Sequence, residues 1–169
     1  MKLRWVYFPK SSDVTLGMKK IIGIFEKNYS KITSESNKKS SDEILRVLSQ
    51  DLIADGFAAE TGKGKEDKIR RPVFYGENSK IHKSFEVDAY YHDERLILEI
   101  EAGRAVLNYH FLKDLFEACI VPDSDYLVIA VRQNYLNRND FEIVSTFFDT
   151  LYSSRRLLLP LKGVLLVGY

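Results

Sequence analysis

Residues 85–104, FEVDAYYHDERLILEIEAGR, alternate so regularly that they leave little choice of local structure. Over 85–91, Phe85, Val87 and Tyr91 share one face with the small Ala89, and Glu86, Asp88 and Tyr90 share the other. Over 96–101, Leu96, Leu98 and Ile100 oppose Ile97, Glu99 and Glu101. Strict alternation is the pattern of a half-buried strand, and two such runs around Asp93-Glu94 predict a hairpin. With His92 opposite Arg95, Asp88 falls opposite Glu99 and Glu86 opposite Glu101. Opposed side chains sit roughly 5 Å apart at Cβ. One face of the predicted hairpin therefore carries four carboxylates, while the other is aliphatic or aromatic.

Opposed like charges destabilise a sheet, so a hairpin selected for stability alone would carry Thr, Lys or Arg at these positions. Four acids together need protons or a cation. A hard divalent ion held by oxygen ligands, Mg²⁺ or Mn²⁺, is the simplest cation that fits. The same acids can instead form an exposed face balanced by basic residues from elsewhere in the fold.

The chain has 169 residues, enough for one domain with a sizeable core. Its 25 Lys and Arg against 24 Asp and Glu exclude a strongly basic, histone-like binder. They leave room for a nucleic-acid enzyme, because acids at a metal site cancel basic residues elsewhere. The single cysteine, Cys119, rules out a disulfide framework within the chain and a Cys₄ metal site. His82, His92 and His110 lack the spacing of a zinc motif. No apolar run approaches a membrane span, and the N-terminus MKLRWVYFPK turns polar at once. The expectation is a soluble cytoplasmic protein.

In chain order, residues 2–8 read as a strand stopped by Pro9, and 14–28 as a helix. The polar stretch 29–40 reads as a loop that separates an N-terminal extension (1–39) from a main core (40–169) within one domain. Residues 41–55 form a well-marked helix, capped by Ser40 or Ser41, with Asp42 and Glu43 at the positive end of its dipole. Residues 57–61 and 72–75 have strand character. Between them, 62–71 (GKGKEDKIRR) is the most basic segment, with Lys63, Lys65, Lys68, Arg70 and Arg71. A flexible cationic loop suits phosphate contacts, and it also suits plain solvation. After the hairpin, 105–119 reads as a helix, 126–131 as a strand covered on both faces, 139–152 as a helix and 163–167 as a last buried strand. The sum is an α/β fold, a mixed central sheet flanked by helices.

This order of elements resembles the PD-(D/E)XK nuclease superfamily, the restriction-endonuclease-like fold with an αβββαβ core. Asp88 matches the Asp of the second core strand, with Val87 where the motif name has Pro. Glu99-Ile100-Glu101 matches the acid-x-Lys element of the third strand, and Glu43 the extra acid that some members carry on the first helix. The likeness covers roughly residues 41–131. The departure is Glu101 where the family usually has Lys, a variant known among type II restriction enzymes. It leaves the general base open. Lys113 or Arg104 could restore the missing positive charge, with His110 behind them.

The resemblance implies a Mg²⁺- or Mn²⁺-dependent DNA endonuclease of restriction or repair type. Asp88, Glu99 and the Ile100 carbonyl would hold the metal, and Glu101 would orient or deprotonate the attacking water. Lys63, Lys65, Lys68, Arg70, Arg71 and Arg104 would hold the nucleic-acid backbone. Cutting two-fold DNA would call for a homodimer. The alternative is a catalytically inactive member that binds nucleic acid or protein.

Overall fold

The computed structural model describes residues 2–169. Its elements run β1 (Arg4–Phe8), α1 (Leu16–Ile32), α2 (Ser41–Ala54), β2 (Ala58–Ala59), β3 (Ile69–Tyr75), β4 (Ile81–Val87), β5 (Ala89–Tyr91), β6 (Leu96–Glu101), α3 (His110–Ile120), β7 (Tyr126–Val131), α4 (Asp140–Ser154) and β8 (Gly163–Gly168). A six-stranded sheet has the order β1-β8-β7-β6-β5-β2, and β3 and β4 form a separate two-stranded ribbon. β6, β7 and β8 are parallel, while β1, β5 and β2 run antiparallel to their neighbours.

The near-continuous apolar runs of β7 and β8 require helices on both faces. Period-two alternation deals their side chains into two layers. Val128, Ala130, Leu165 and Val167 pack under α1 and α2, with Leu96, Leu98 and Ile100 of β6. Leu127, Ile129, Val131, Val164 and Leu166 pack under α3 and α4, with Ile97. Each of these buried aliphatic side chains contributes roughly 1.5–3 kcal/mol relative to exposure, so the two layers account for the architecture. Among the described residues no helix is long and apolar enough to cross a membrane.

Local signals set most boundaries. Thr15 caps α1 by accepting from the Met18 N–H. α1 runs on to Ile32, through the first turn of the expected loop, because Asn28 and Ile32 are buried against the core. The segment expected to be an N-terminal extension shares the main sheet, since β1 lies along β8 from Arg4–Gly168 to Phe8–Val164. The basic segment is partly strand, because Ile69, Arg70 and Arg71 already belong to β3. α3 begins at His110 rather than 105, as Tyr109 sits in the left-handed region at φ 54° and residues 104–109 wind as turns.

The hairpin differs most from expectation. Next to the turn the predicted register is present: Tyr91 opposes Leu96, Tyr90 opposes Ile97 and Ala89 opposes Leu98. The turn spans residues 92–95, with Arg95 at φ 52°. At Asp88 the strand breaks. β5 continues the main sheet, while β4 leaves it to pair with β3. The facing of side chains changes there too. Ala89 and Tyr91 lie in the α1/α2 layer, but Val87 and Phe85 pack with Tyr90 and Ile97 in the opposite layer. Glu86 therefore does not oppose Glu101. It opposes Arg70 and pairs with it at 3.0 Å.

Candidate active site

β6 carries Glu99 and Glu101 on the face turned to α3, alternating with Leu98 and Ile100, which point into the opposite layer. Asp88 reaches the same strand from the break between β4 and β5. Its Oδ2 accepts the Ile100 main-chain N–H at 2.7 Å, so a side chain replaces the ladder partner that the broken strand no longer offers. α3 brings a fourth acid, Asp114, with only 4% of its surface exposed. Phe111, Asp114, Leu115 and Ala118 are the buried stripe of that helix, at the i, i+3, i+4, i+7 spacing. The acid was legible as a polar residue on an apolar stripe, and the sequence reading passed over it.

These four carboxyls raise one another's cost of ionisation. Burial pushes Asp88 up to about 7 against the Ile100 hydrogen bond, with Glu60, Asp114 and Glu101 adding repulsion. Glu99 is held well above its usual range by burial and then by Asp88 and Asp114. Burial pushes Glu101 to about 7, with Lys113, a hydrogen bond from Asp114 and Arg104 working the other way. Asp114 also rises to about 7, through burial and then Glu101.

Partners are few. Glu99 makes no hydrogen bond among the described residues, and Asp114 Oδ2 is buried without one. Glu101 Oε1 lies 3.2 Å from His110 Nδ1. Carboxylate oxygens short of partners suit a hard divalent cation. No three His, Cys, Asp or Glu side chains among the described residues are grouped as a metal ion requires. The donor chemistry fits the ion, while the side-chain grouping does not assemble it.

Lys113 stands beside this cluster, 3.7 Å from Asp114 and 3.3 Å from Glu117. Burial disfavours its charge, but Asp114, Glu117 and Glu99 outweigh that and hold its ammonium above the usual lysine range. Glu43 is elsewhere. It closes a capping box on α2, accepting the Ser40 N–H at 2.8 Å, and its carboxyl is lowered by that bond and by the Ser40 hydroxyl. Its position is explained by the helix terminus.

The basic residues divide. Lys68 is bound to Glu60 at 2.5 Å and Arg70 to Glu86. Arg71 pairs with Asp123 and lies 3.7 Å above the Tyr90 ring. Those three are tied into the fold, and Arg71 is half-buried. Lys65 is exposed. Lys63 and Arg104 line a cleft of ≈ 870 Å³ at the carboxyl ends of β6 and β7, next to the start of α2. Glu101 and His110 form part of its wall, and Lys38 and Arg132 contribute two cations that the sequence reading did not single out. Asp88, Glu99 and Asp114 lie outside this lining, so Glu101 is the acid common to cluster and cleft. Comparison with protein-family models and with curated proteins finds no match.

Proposed function

We propose that this protein is a divalent-metal-dependent endonuclease of restriction-endonuclease-like fold that hydrolyses phosphodiester bonds in DNA. The order α2, β2, β5, β6, α3, β7 supports this, with three antiparallel strands and a fourth parallel to the third. The β3-β4 ribbon is then an insertion between the first and second core strands. The observation that carries the proposal is the seat of Asp88 on the Ile100 N–H, between Glu99 and Glu101. It unites the acid of the second core strand with the acid-x-Glu element of the third.

Asp88, Glu99 and the Ile100 carbonyl would hold Mg²⁺ or Mn²⁺, which when bound supplies charge to the scissile phosphate and acidifies water. Glu101 takes the proton of the attacking water. Burial raises its carboxyl to about 7 in the metal-free protein, which makes it a better proton acceptor than an ordinary carboxylate. His110, 3.2 Å away, orients the Glu101 carboxylate. Lys113 provides positive charge beside the cluster, in the place of the lysine that the family usually carries on the strand.

The test is cleavage of supercoiled and linear DNA in Mg²⁺, Mn²⁺ or EDTA. Cutting that requires metal and vanishes in Asp88→Ala and Glu99→Ala supports the nuclease. A second reading is a binding module of the same fold without catalysis. It is favoured by the absence, among the described residues, of three acids grouped for a metal ion. DNA that is bound and never cut with either metal selects it.

A further inference from the structure

The C-terminal end of β7 leads directly into Arg132, whose side chain lines the cleft. Arg132 is only 7% exposed. Its guanidinium donates to the Lys39 carbonyl at 2.5 Å and stands 5.2 Å from the centre of the Tyr135 ring. Among the described residues it forms no ion pair with any acid. Arg138, by contrast, is paired with the fully buried Asp140 at 2.5 Å. A guanidinium removed from water without a carboxylate is an expensive arrangement unless an anion completes it.

The surroundings supply the rest of an anion site. Lys38 and Arg104 are exposed on the same cleft and make no ion pair among the described residues. Lys63 is paired with Asp42 at 3.3 Å. Glu43 also lines the cleft, and its hydrogen bonds to Ser40 hold it as an anion without cancelling its charge. The lining thus carries Lys38, Lys63, Arg104 and Arg132 against Asp42, Glu43 and Glu101, a surplus of one positive charge. Planar guanidinium groups favour phosphate oxygens because they donate in a fork.

The size of the cleft selects among phosphate carriers. A volume of ≈ 870 Å³ belongs to the range that holds a drug-sized molecule, which corresponds to one or two nucleotides. A whole duplex exceeds that volume, whereas a nucleotide of a single strand fits within it. Glu101 in the cleft wall connects such a strand to the acid cluster.

We propose that this cleft is a phosphate subsite for a single nucleic-acid strand, with Arg132 as the anchor at its floor and Lys38 and Arg104 on its walls. The inference rests on the nuclease reading for the direction of the strand past Glu101, and it names the substrate class as single-stranded or frayed nucleic acid. Binding to the cleft itself needs neither metal nor catalysis.

The experiment is fluorescence anisotropy in EDTA with a labelled 12-nucleotide single strand, a duplex of the same sequence, and unlabelled mononucleotide and inorganic phosphate as competitors. The single strand is expected to bind at least tenfold more tightly than the duplex at equal ionic strength. Lys38→Ala/Arg104→Ala should weaken it at least tenfold, and Arg132→Gln should do the same in protein whose melting transition remains cooperative. Lys80→Ala/Lys83→Ala, an equal loss of charge on the β3-β4 ribbon, should change it less than twofold. Equal or tighter duplex binding, an unchanged affinity in Lys38→Ala/Arg104→Ala, or a mononucleotide that binds as well as the strand would overturn the proposal. Loss of metal-dependent cutting in the earlier assay, with single-strand binding intact, would remove the nuclease reading alone. Duplex cleavage without single-strand binding would remove this inference alone.

Discussion

The Asp88 carboxylate holds the Ile100 N–H at 2.7 Å, across the point where β4 leaves the main sheet. One side chain thereby does two things. It ends the β5–β6 ladder without leaving a buried donor unpaired, and it fixes an acid between Glu99 and Glu101. The structural and the chemical demands on residue 88 are separable, because an amide can accept the same hydrogen bond without carrying charge.

Asp88→Asn separates them. Removing a charge that burial and Glu60, Asp114 and Glu101 all oppose should raise the melting temperature of the metal-free protein. Metal-dependent cleavage should fall at least about 100-fold, in the range expected when a residue central to charge stabilisation is lost. Calorimetry and a nicking assay read the two effects on the same preparation. A lowered melting temperature would show that the site is not strained by its charges.

Stability of the metal-free protein should decline as pH rises. Asp88, Glu101 and Asp114 are each raised to about 7, while carboxyls in an unfolded chain titrate near pH 4. Below about pH 4 both states are protonated and the fold carries no penalty. Between about pH 4 and 7 the unfolded chain releases these protons while the folded one keeps them. The stabilisation present at low pH is lost as pH passes through the folded values. In EDTA the melting temperature should therefore drop by at least about 5 °C from pH 5 to pH 8, since each kcal/mol is worth roughly 2–4 °C in a chain of this size. Millimolar Mn²⁺ or Mg²⁺ at pH 8 should recover most of that loss. A flat profile in EDTA would count against the cluster.

Glu101→Gln removes the proposed base while retaining its volume and a hydrogen bond to His110. The cleavage rate should drop about 10²–10⁴-fold, as for other general bases. The rise of activity through pH 7 should flatten at the same time. Retention of the wild-type pH profile would assign the base to another group.

Glu43 is predicted from its position to be a cap rather than a catalyst. Glu43→Ala breaks the capping box with Ser40 and should cost about 1 kcal/mol, a fall of roughly 2–4 °C in melting temperature. Cleavage by the folded protein should remain within about twofold. A loss of activity at unchanged stability would return Glu43 to the active site.

Arg71 and Lys65 came from one basic segment but should behave differently. Arg71→Ala loses the ion pair to Asp123 and the stack on Tyr90, so its main effect should be on thermal stability. Lys65→Ala, on an exposed side chain, should leave the melting temperature unchanged. Thermal melts of the two variants side by side decide this.

Much of the molecule was readable in its amino acids. The runs that became β7 and β8 are short and almost wholly apolar, as suits strands with cover on both faces. Ser40 or Ser41 was legible as the cap of α2, and the structure selects Ser40, with Glu43 closing a capping box. Alternation around the turn put Tyr91 opposite Leu96 and Ala89 opposite Leu98, as observed. These features are local: each depends on residues near one another in the chain, through backbone geometry or a nearby hydrogen bond.

The rest needed the tertiary structure. Nothing in FEVDAYY announces that the strand breaks at Asp88, because the hydrogen bond that compensates the break comes from Ile100, twelve residues away. Glu86 left the acid cluster because Arg70 of β3 took it as a partner. Asp114 entered it because packing of α3 on β6 turned its stripe toward Glu99 and Glu101. Arg132 became a buried cation only when the segment ending at Lys39 folded over the end of β7. Alternation in residues 85–104 determined by itself that a strand pair turns around 92–95 and that Glu99 and Glu101 share a face, but not the facing of Glu86 and Asp88. Which of those acids meet was decided by long-range contacts, because the energy of a charge depends on burial and neighbours that only the folded chain supplies.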